Sequence, residues 1–157
     1  MLRHRSKCCL AAITAASLFL LSGAATADNR SMLNTQLGEA IVKVRTGETL
    51  MIQEEAARHL YDLTRGRNSK KVDDKTIADI VSLLDSPDDL VRLWVAASLG
   101  EIGPRARIAI PKLEQLLPAV DCLAVSKSSN DAIRYALTRM GAKLPPPCRE
   151  YHYPSHQ

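Results

Sequence analysis

Apolar residues recur at helical spacing along most of the chain beyond residue 31. The pattern is sharpest between Asp85 and Leu117, where successive apolar positions lie four, four and three residues apart. Positions with this spacing fall on one face of an α-helix, and here they are Val91, Val95, Leu99 and Ile102. A second helical period follows at once, with Ile110, Leu113, Leu116 and Leu117 on one side. The stretch therefore predicts two consecutive helices.

Residues that favour helix ends mark where these two helices begin and stop. Ser86 is predicted to be the N-cap of the first helix, with Pro87 at its first position and Asp89 at capping-box spacing. Gly103 is predicted to end that helix, because glycine accepts a left-handed backbone and the proline after it cannot continue the helix. Pro118 is predicted to stop the second helix.

Four further segments show the same period. They run from about Met32 to Gly47, from about Glu48 to Arg65, from Asp73 or Asp74 to Leu84, and from Ser129 or Asn130 to Gly141. The residues predicted to face the core are Leu33, Leu37, Ile41, Val44, Ile52, Ala56, Leu60, Leu63, Ile77, Ile80, Val81, Leu84, Ile133, Ala136, Leu137 and Met140. No segment of useful length alternates as a β-strand does. The predicted fold class is all-α.

The first 27 residues have the three parts of a secretory signal peptide. Three basic residues precede an apolar stretch, Leu10 to Leu21, and an A-x-A sequence follows at Ala25 to Ala27. The alternative is an uncleaved anchor, but the apolar stretch is short for a bilayer core of roughly 30 Å. We therefore predict cleavage at about Ala27, a periplasmic or secreted protein, and no membrane insertion after cleavage.

Cleavage changes the charge and the cysteine content of the chain. Residues 1–27 carry three of the 21 basic residues and none of the 17 acidic ones, so the remaining 130 residues have a formal charge of +1. A nearly neutral chain predicts no strong binding to nucleic acid. Two cysteines also leave, and Cys122 and Cys148 remain. An even pair in an exported chain predicts a disulfide, with two free thiols as the alternative.

Few residue combinations suggest chemistry. The chain has no glycine-rich phosphate loop, nucleophile elbow, HExxH or CxxC sequence. A cysteine–histidine nucleophile would need a thiol that the predicted disulfide occupies. Glu54 and Glu55 beside His59 are typical of a solvated helix face. His152 and His156 with Cys148 suggest a metal site, but Pro154 between them disfavours the helix that would align them. We predict no catalytic residue, metal or cofactor.

The central stretch resembles a HEAT or HEAT-like repeat, of the type also called PBS lyase HEAT-like, known from exported bacterial proteins among others. The residues that carry this resemblance are Asp89-x-Val91-Arg92, Ala96-Ala97-x-Leu99-Gly100-x-Ile102-Gly103 and Ala109-Ile110-Pro111-x-Leu113. The resemblance implies a short right-handed α-solenoid of about three helix pairs over residues 28–144, followed by a Pro/His-rich tail, 145–157. It also implies that Arg92 and Arg134 join ion pairs with Asp89 and Asp131 between adjacent pairs.

HEAT-like repeats generally bind proteins, so the resemblance implies a non-enzymatic interaction module with another protein as its partner. An enzyme or enzyme-assembly factor of the HEAT-like lyase type is the main alternative, and a self-associating structural fragment is a third. The predicted binding surface is an apolar stripe opposite the core face, together with residues of the last helix. It comprises Leu90, Leu93, Ala97, Glu101, Tyr135 and Arg139. The 118–130 loop or the tail could instead cover this stripe.

One mass measurement on non-reduced exported protein tests both processing predictions. We expect the mass to lack residues 1–27 and to be lower than that of the reduced protein by two hydrogens, because Cys122 and Cys148 would close a loop worth roughly 3 kcal/mol in the loop-entropy model. Retention of the first 27 residues in the membrane fraction would contradict cleavage. Two titratable thiols in protein purified without reductant would contradict the disulfide.

Overall fold

The computed structural model describes residues 21–121 and 129–144, with side chains for 28–117 and 129–144. Six α-helices occupy most of these ranges, with 3₁₀ segments at Gly66–Lys71, Leu83–Asp85 and Gly103–Ala109. The α-helices are α1 (Leu21–Thr46), α2 (Leu50–Thr64), α3 (Asp74–Ser82), α4 (Asp89–Ile102), α5 (Ile110–Asp121) and α6 (Asn130–Met140). Neither range contains a β-strand, which confirms the all-α prediction. None of the helices described there is long and apolar enough to cross a membrane.

Acidic side chains cap the two helices at the centre of the chain. Asp73 caps α3 by accepting a hydrogen bond from the backbone N–H of Thr76 at 2.7 Å. The cap of α4 is Asp88, whose carboxylate accepts from the N–H of Val91 at 2.8 Å. The prediction of Ser86 at this position was wrong. Its hydroxyl instead accepts from the N–H of Asp88 at 3.2 Å, so Ser86 shapes the turn before the cap.

Helix ends follow the predicted glycines but not the predicted proline. Gly103 and Gly141 have φ of +69° and +79°, the positive values that glycine accepts without strain. The prediction that Pro118 stops a helix was wrong, since α5 continues to Asp121. Pro118 lies in the last turn of α5, so the helix loses one backbone hydrogen bond there but not its end. At the other end of the chain α1 begins at Leu21, well before the predicted start.

One continuous cluster of buried side chains joins all six helices. Helix α4 lies between α2 and α6, while α1 packs on α2 and α5 packs on α6. Most of the residues predicted to face the core are buried, including all four that define the period of α4. Ile52 was predicted wrongly, because 39% of it is exposed, and Leu63 and Val81 are only partly buried. The apolar period therefore identified the correct face of each helix, with its errors at the edges.

Two arginines in the Gly103–Ala109 segment bind helices on both sides of it. Arg105 donates to the backbone oxygen of Val72 at 2.5 Å and pairs with the carboxylate of Asp74. Arg107 donates through Nε to the backbone oxygen of Met140 at 3.0 Å. Because these bonds reach α3 on one side and α6 on the other, the segment holds three successive parts of the chain in register.

Asp89 makes a second link between successive parts of the chain. Its carboxylate accepts from both the N–H and the hydroxyl of Ser129, at 2.9 Å and 2.8 Å. Arg92 pairs with Asp89 at 2.9 Å and donates to the backbone oxygens of Ser86 and Pro87. Arg92 thus closes the turn of its own helix, and the contact with the next helix runs from Asp89 to Ser129.

Replacing Asp73 with alanine tests the cap of α3. We expect a loss of about 1 kcal/mol of unfolding free energy at pH 7, because the N–H of Thr76 loses its acceptor. That hydrogen bond also lowers the pKa of Asp73 below its ordinary value of 3.8. Because the pKa is lower in the folded state, the ionised carboxylate of Asp73 stabilises the fold at pH values above 3.8. This contribution is lost as the pH falls through the folded-state pKa.

The measurement is urea unfolding of the parent and of Asp73→Ala at neutral and at strongly acidic pH. The difference between them should shrink in acid. Asp62→Ala is the matched control, since Asp62 is exposed within α2 and contacts Arg65 only at 3.9 Å. An equal loss in the two variants would contradict the capping role.

Candidate interaction surface

The aromatic residues of 28–144 lie along the row formed by α2, α4 and α6. They are Tyr61 on α2, Trp94 on α4 and Tyr135 on α6. The rings of Tyr61 and Trp94 have centroids 5.5 Å apart and are tilted by 40°. Trp94 also packs against the core cluster, whereas 40% of Tyr135 is exposed. One surface of the fold therefore carries all the aromatic area that residues 28–144 possess.

Each of these rings has an arginine over it. The guanidinium carbon of Arg58 lies 6.0 Å from the centroid of the Trp94 ring, and that of Arg65 lies 5.5 Å from the Tyr61 ring. On the last helix, Arg139 lies 6.0 Å from the Tyr135 ring. These distances are within the range of cation–π attraction, which is about 0.5–1 kcal/mol at exposed sites. The surface is consequently aromatic and cationic together.

Polar contacts fix the position of Tyr135 against α4. Its hydroxyl donates to the carboxylate of Glu101 at 2.9 Å, and Arg139 donates through Nε to the backbone oxygen of Gly100 at 3.4 Å. Burial raises the pKa of Tyr135, as do the hydrogen bond to Glu101 and the charge of that carboxylate, while Arg139 opposes the change. Tyr135 therefore stays protonated and holds its hydrogen bond throughout the physiological pH range.

Gly100 allows α6 to approach α4 closely. A β-carbon at Gly100 would lie 2.6 Å from two ring carbons of Tyr135 and 3.2 Å from the Cα of Ala136. Any side chain there would force the two helices apart. A glycine inside a helix costs stability relative to alanine, so its presence in α4 is a signal of close packing. The sequence reasoning used Gly100 only as part of a motif and missed this role.

The structure brings the predicted surface residues into one region but exposes them unevenly. The stripe pattern predicts that its residues are open to solvent. In the structure each of them is partly buried, namely Leu90, Leu93, Ala97 and Glu101. The reason is that α4 has a neighbouring helix on each side, and the pattern of a single helix does not show its neighbours. Glu101, Tyr135 and Arg139 are brought together, as the preceding contacts show. The 118–130 loop and the tail, the two alternative covers of the stripe, lie largely outside the described residues.

Sequence reasoning missed the part of this surface on α2. The predicted binding surface did not include Tyr61, Trp94, Arg58 or Arg65. The scarcity of aromatic residues was a usable signal, because three rings spaced on three predicted helices invite the question of whether they meet. Which way each ring points was not readable, because Tyr61 and Trp94 border the buried faces of their helices.

Other concave regions of the described residues lie outside this surface. A cleft of about 470 Å³ between α1 and α2 is lined by His59, Glu55, Glu39 and Lys43, all with exposed side chains. A groove of about 1010 Å³ runs between α1 and α3. Its cations each bind a group of the fold itself, and these cations are Arg30, Arg45, Lys71 and Lys75.

Some predicted features fall outside the described residues. Cys122 and Cys148 do so, as do the histidines of the tail. Within 28–117 and 129–144, the structure has no group of three His, Cys, Asp or Glu side chains arranged to hold a metal ion. Comparisons with protein-family models, curated proteins and solved structures gave no match. The resemblance to HEAT-like repeats therefore stays a prediction.

Replacing Gly100 with alanine tests the close approach of α4 and α6. We expect a loss of about 1–3 kcal/mol of unfolding free energy, because the new methyl group overlaps the Tyr135 ring and the α6 backbone. Gly38→Ala is the matched control within α1, where a β-carbon would meet nothing within 4 Å. That variant should gain about 0.5–1 kcal/mol from helix propensity. Urea unfolding measures both, and a gain in Gly100→Ala would contradict the packing role.

Proposed function

We propose that this chain is an exported, non-enzymatic protein-interaction module built as a short right-handed solenoid of HEAT-like type. In this proposal the three helix pairs are α1 with α2, α3 with α4, and α5 with α6. The second helices of the pairs, α2, α4 and α6, then form one row, and that row is the binding surface. Supporting the arrangement, α4 lies between α2 and α6, as the second helix of a middle pair would.

The observation that carries the proposal is the concentration of aromatic and arginine side chains on this row. Tyrosine, tryptophan and arginine are the residues most enriched among those that dominate binding energy at protein interfaces. Residues 28–144 contain only three aromatic side chains, and all three lie here under arginines.

The proposed surface is also held in a fixed shape before any partner binds. The contact from Asp89 to Ser129 joins α4 to the start of α6, while Arg105 and Arg107 join the Gly103–Ala109 segment to α3 and to the end of α6. A surface that is already ordered loses less conformational entropy on association. This favours binding of a specific partner over nonspecific adhesion.

The alternative of an enzyme or enzyme-assembly factor has one observation in its favour. The cleft between α1 and α2 brings His59 and Glu55 together. Both side chains are exposed, and charged residues on a helix surface are ordinarily solvated. We therefore place this function second. A loss of any activity in His59→Gln, with unchanged stability and unchanged partner binding, would reverse the order.

A paired-variant capture experiment tests the interaction module. Leu93→Glu places a charge in the middle of the row, so we expect it to lose the proteins that the parent chain retains from an envelope extract, as identified by mass spectrometry. Val42→Glu is the matched control, because Val42 is 55% exposed on α1 and away from the row. It should retain the same proteins.

Stability must be measured alongside, since Leu93 is partly buried. We expect Leu93→Glu to lose at most about 1 kcal/mol of unfolding free energy, which is small compared with typical losses at buried positions. If that variant unfolds, Arg58→Glu replaces it, because Arg58 is exposed. Equal retention by the row variant and Val42→Glu would contradict the proposal.

A further inference from the structure

We infer that the row formed by α2, α4 and α6 takes a short, extended polypeptide segment with acidic residues at both ends and apolar residues between them. This inference rests on the proposed function and names the chemistry of its partner. It follows from the state of the arginines, from the character of the surface between them and from the width of the row.

The three arginines that lie over rings, Arg58, Arg65 and Arg139, keep most of their hydrogen-bonding capacity. Arg58 makes no ion pair or hydrogen bond with any residue in the described part of the chain, although it lies over Trp94. The nearest carboxylate oxygen to Arg65 is that of Asp62 at 3.9 Å, and Arg139 donates to a backbone oxygen at 3.4 Å. A cation–π contact engages the charge of a guanidinium group and not its N–H donors, which can bind a carboxylate with two parallel bonds.

Two acidic groups of the row have partners other than these three arginines. The carboxylate of Glu101 accepts the hydrogen bond of the Tyr135 hydroxyl. Asp89 is engaged by Ser129 and Arg92. Asp62 is exposed and contacts Arg65 only at long range. A ligand with carboxylates would therefore find donors that the fold itself has not satisfied.

The cations of the groove between α1 and α3 already have partners within the fold. For this reason we prefer the row to that groove as the binding surface for an acidic segment. That groove has a volume of about 1010 Å³, and it also carries four cations. Each of them is already bound within the fold, as with Arg45 to the hydroxyl of Ser82 at 2.7 Å and Lys75 to the carboxylate of Asp79 at 2.9 Å. An anionic ligand there would have to displace these contacts. On the row it would only add to the stacking contacts.

The distribution of the arginines sets the shape of the ligand. Arg58 and Arg65 lie at the α2 end of the row and Arg139 at the α6 end, with Leu93 and Ala97 of α4 between them. Packed helices lie about 8–10 Å apart, so the row from α2 to α6 is roughly 16–20 Å wide. An extended chain advances about 3.3 Å per residue, so about six residues cross the row. Acidic side chains at both ends of such a segment reach arginines, and its centre meets apolar surface.

Trp94 makes the inference directly measurable, because it is the only tryptophan in the chain and lies within the row. The probes are two synthetic peptides with a leucine–proline–leucine centre, one flanked at each end by two glutamates and the other by two lysines. We expect the glutamate peptide to change Trp94 fluorescence in a saturable way that weakens with added salt. The lysine peptide should cause no saturable change.

Charge variants locate the peptide on the row. Arg58→Gln and Arg139→Gln should each weaken binding of the glutamate peptide by about tenfold, as expected for loss of a charge-assisted contact. Lys43→Gln removes the same charge from the α1–α2 cleft and should leave the affinity within about twofold. Far-ultraviolet circular dichroism confirms that each variant is folded.

Several outcomes would overturn the inference. Equal binding of the lysine peptide would show that charge plays no part. Binding of phosphatidylglycerol vesicles through the same arginines, without binding of the glutamate peptide, would indicate a membrane surface as the target. If the glutamate peptide fails while Leu93→Glu still loses proteins that Val42→Glu retains, the partner class is wrong and the proposed function stands. If both experiments fail, the proposed function falls as well.

Discussion

The close packing of α4 against α6 at Gly100 is the constraint on which the rest of the structure depends. Helix α4 has a neighbour on each side, and the contacts with them are made by small side chains. Three alanines on these helices are fully buried: Ala57 on α2, Ala96 on α4 and Ala136 on α6. A β-carbon at Gly100 would lie only 3.2 Å from the Cα of Ala136, so the α6 backbone is close to α4. Where side chains are this small, helices approach closely, and the missing side chain of Gly100 leaves the space that the Tyr135 ring occupies.

The position of the aromatic residues follows from that packing. A core of leucine, isoleucine, valine and alanine, closed by short interhelical distances, excludes a tyrosine or tryptophan from its centre. Tyr61, Trp94 and Tyr135 are therefore found at the boundary between the core and the surface. There the faces of the rings are available to arginines, and the hydroxyl of Tyr135 reaches Glu101. The same packing that stabilises the fold thus produces the surface that we propose as its functional one.

The polar links between successive helices complete this arrangement, and they use main-chain atoms as much as charges. Arg92 and Arg107 both donate to backbone oxygens at helix ends, where the last carbonyl groups lack partners within the helix. Contacts of this kind depend on where the backbone runs. They hold neighbouring segments together without requiring an acidic partner at a fixed place in the sequence. Arg58, Arg65 and Arg139 are left with donors to spare.

Much of the fold was determined by the sequence alone. The apolar period placed Val91, Val95, Leu99 and Ile102 on the buried face of α4, and Asp73 and Gly141 marked helix ends, because these signals arise within one or two helical turns. Ser86 was mistaken for the cap of α4, since two acceptors two residues apart, Ser86 and Asp88, satisfy the same sequence rule and only the backbone dihedrals choose between them. Pro118 was mistaken for a stop because a proline removes one backbone hydrogen bond and need not end the helix.

For the candidate site as well, some features could be predicted from the sequence and others only from the tertiary structure. Glu101, Tyr135 and Arg139 could be grouped from the sequence, because helical spacing and the order of the repeats place them on adjoining helices. The tertiary structure alone decided that Leu90 and Leu93 are partly buried, that Trp94 meets Tyr61, and that Arg58 lies over Trp94. These contacts join residues more than thirty positions apart or depend on which neighbours flank α4. A helical period reports the direction of a side chain around its own axis, whereas burial and stacking are set by the distance and orientation between axes.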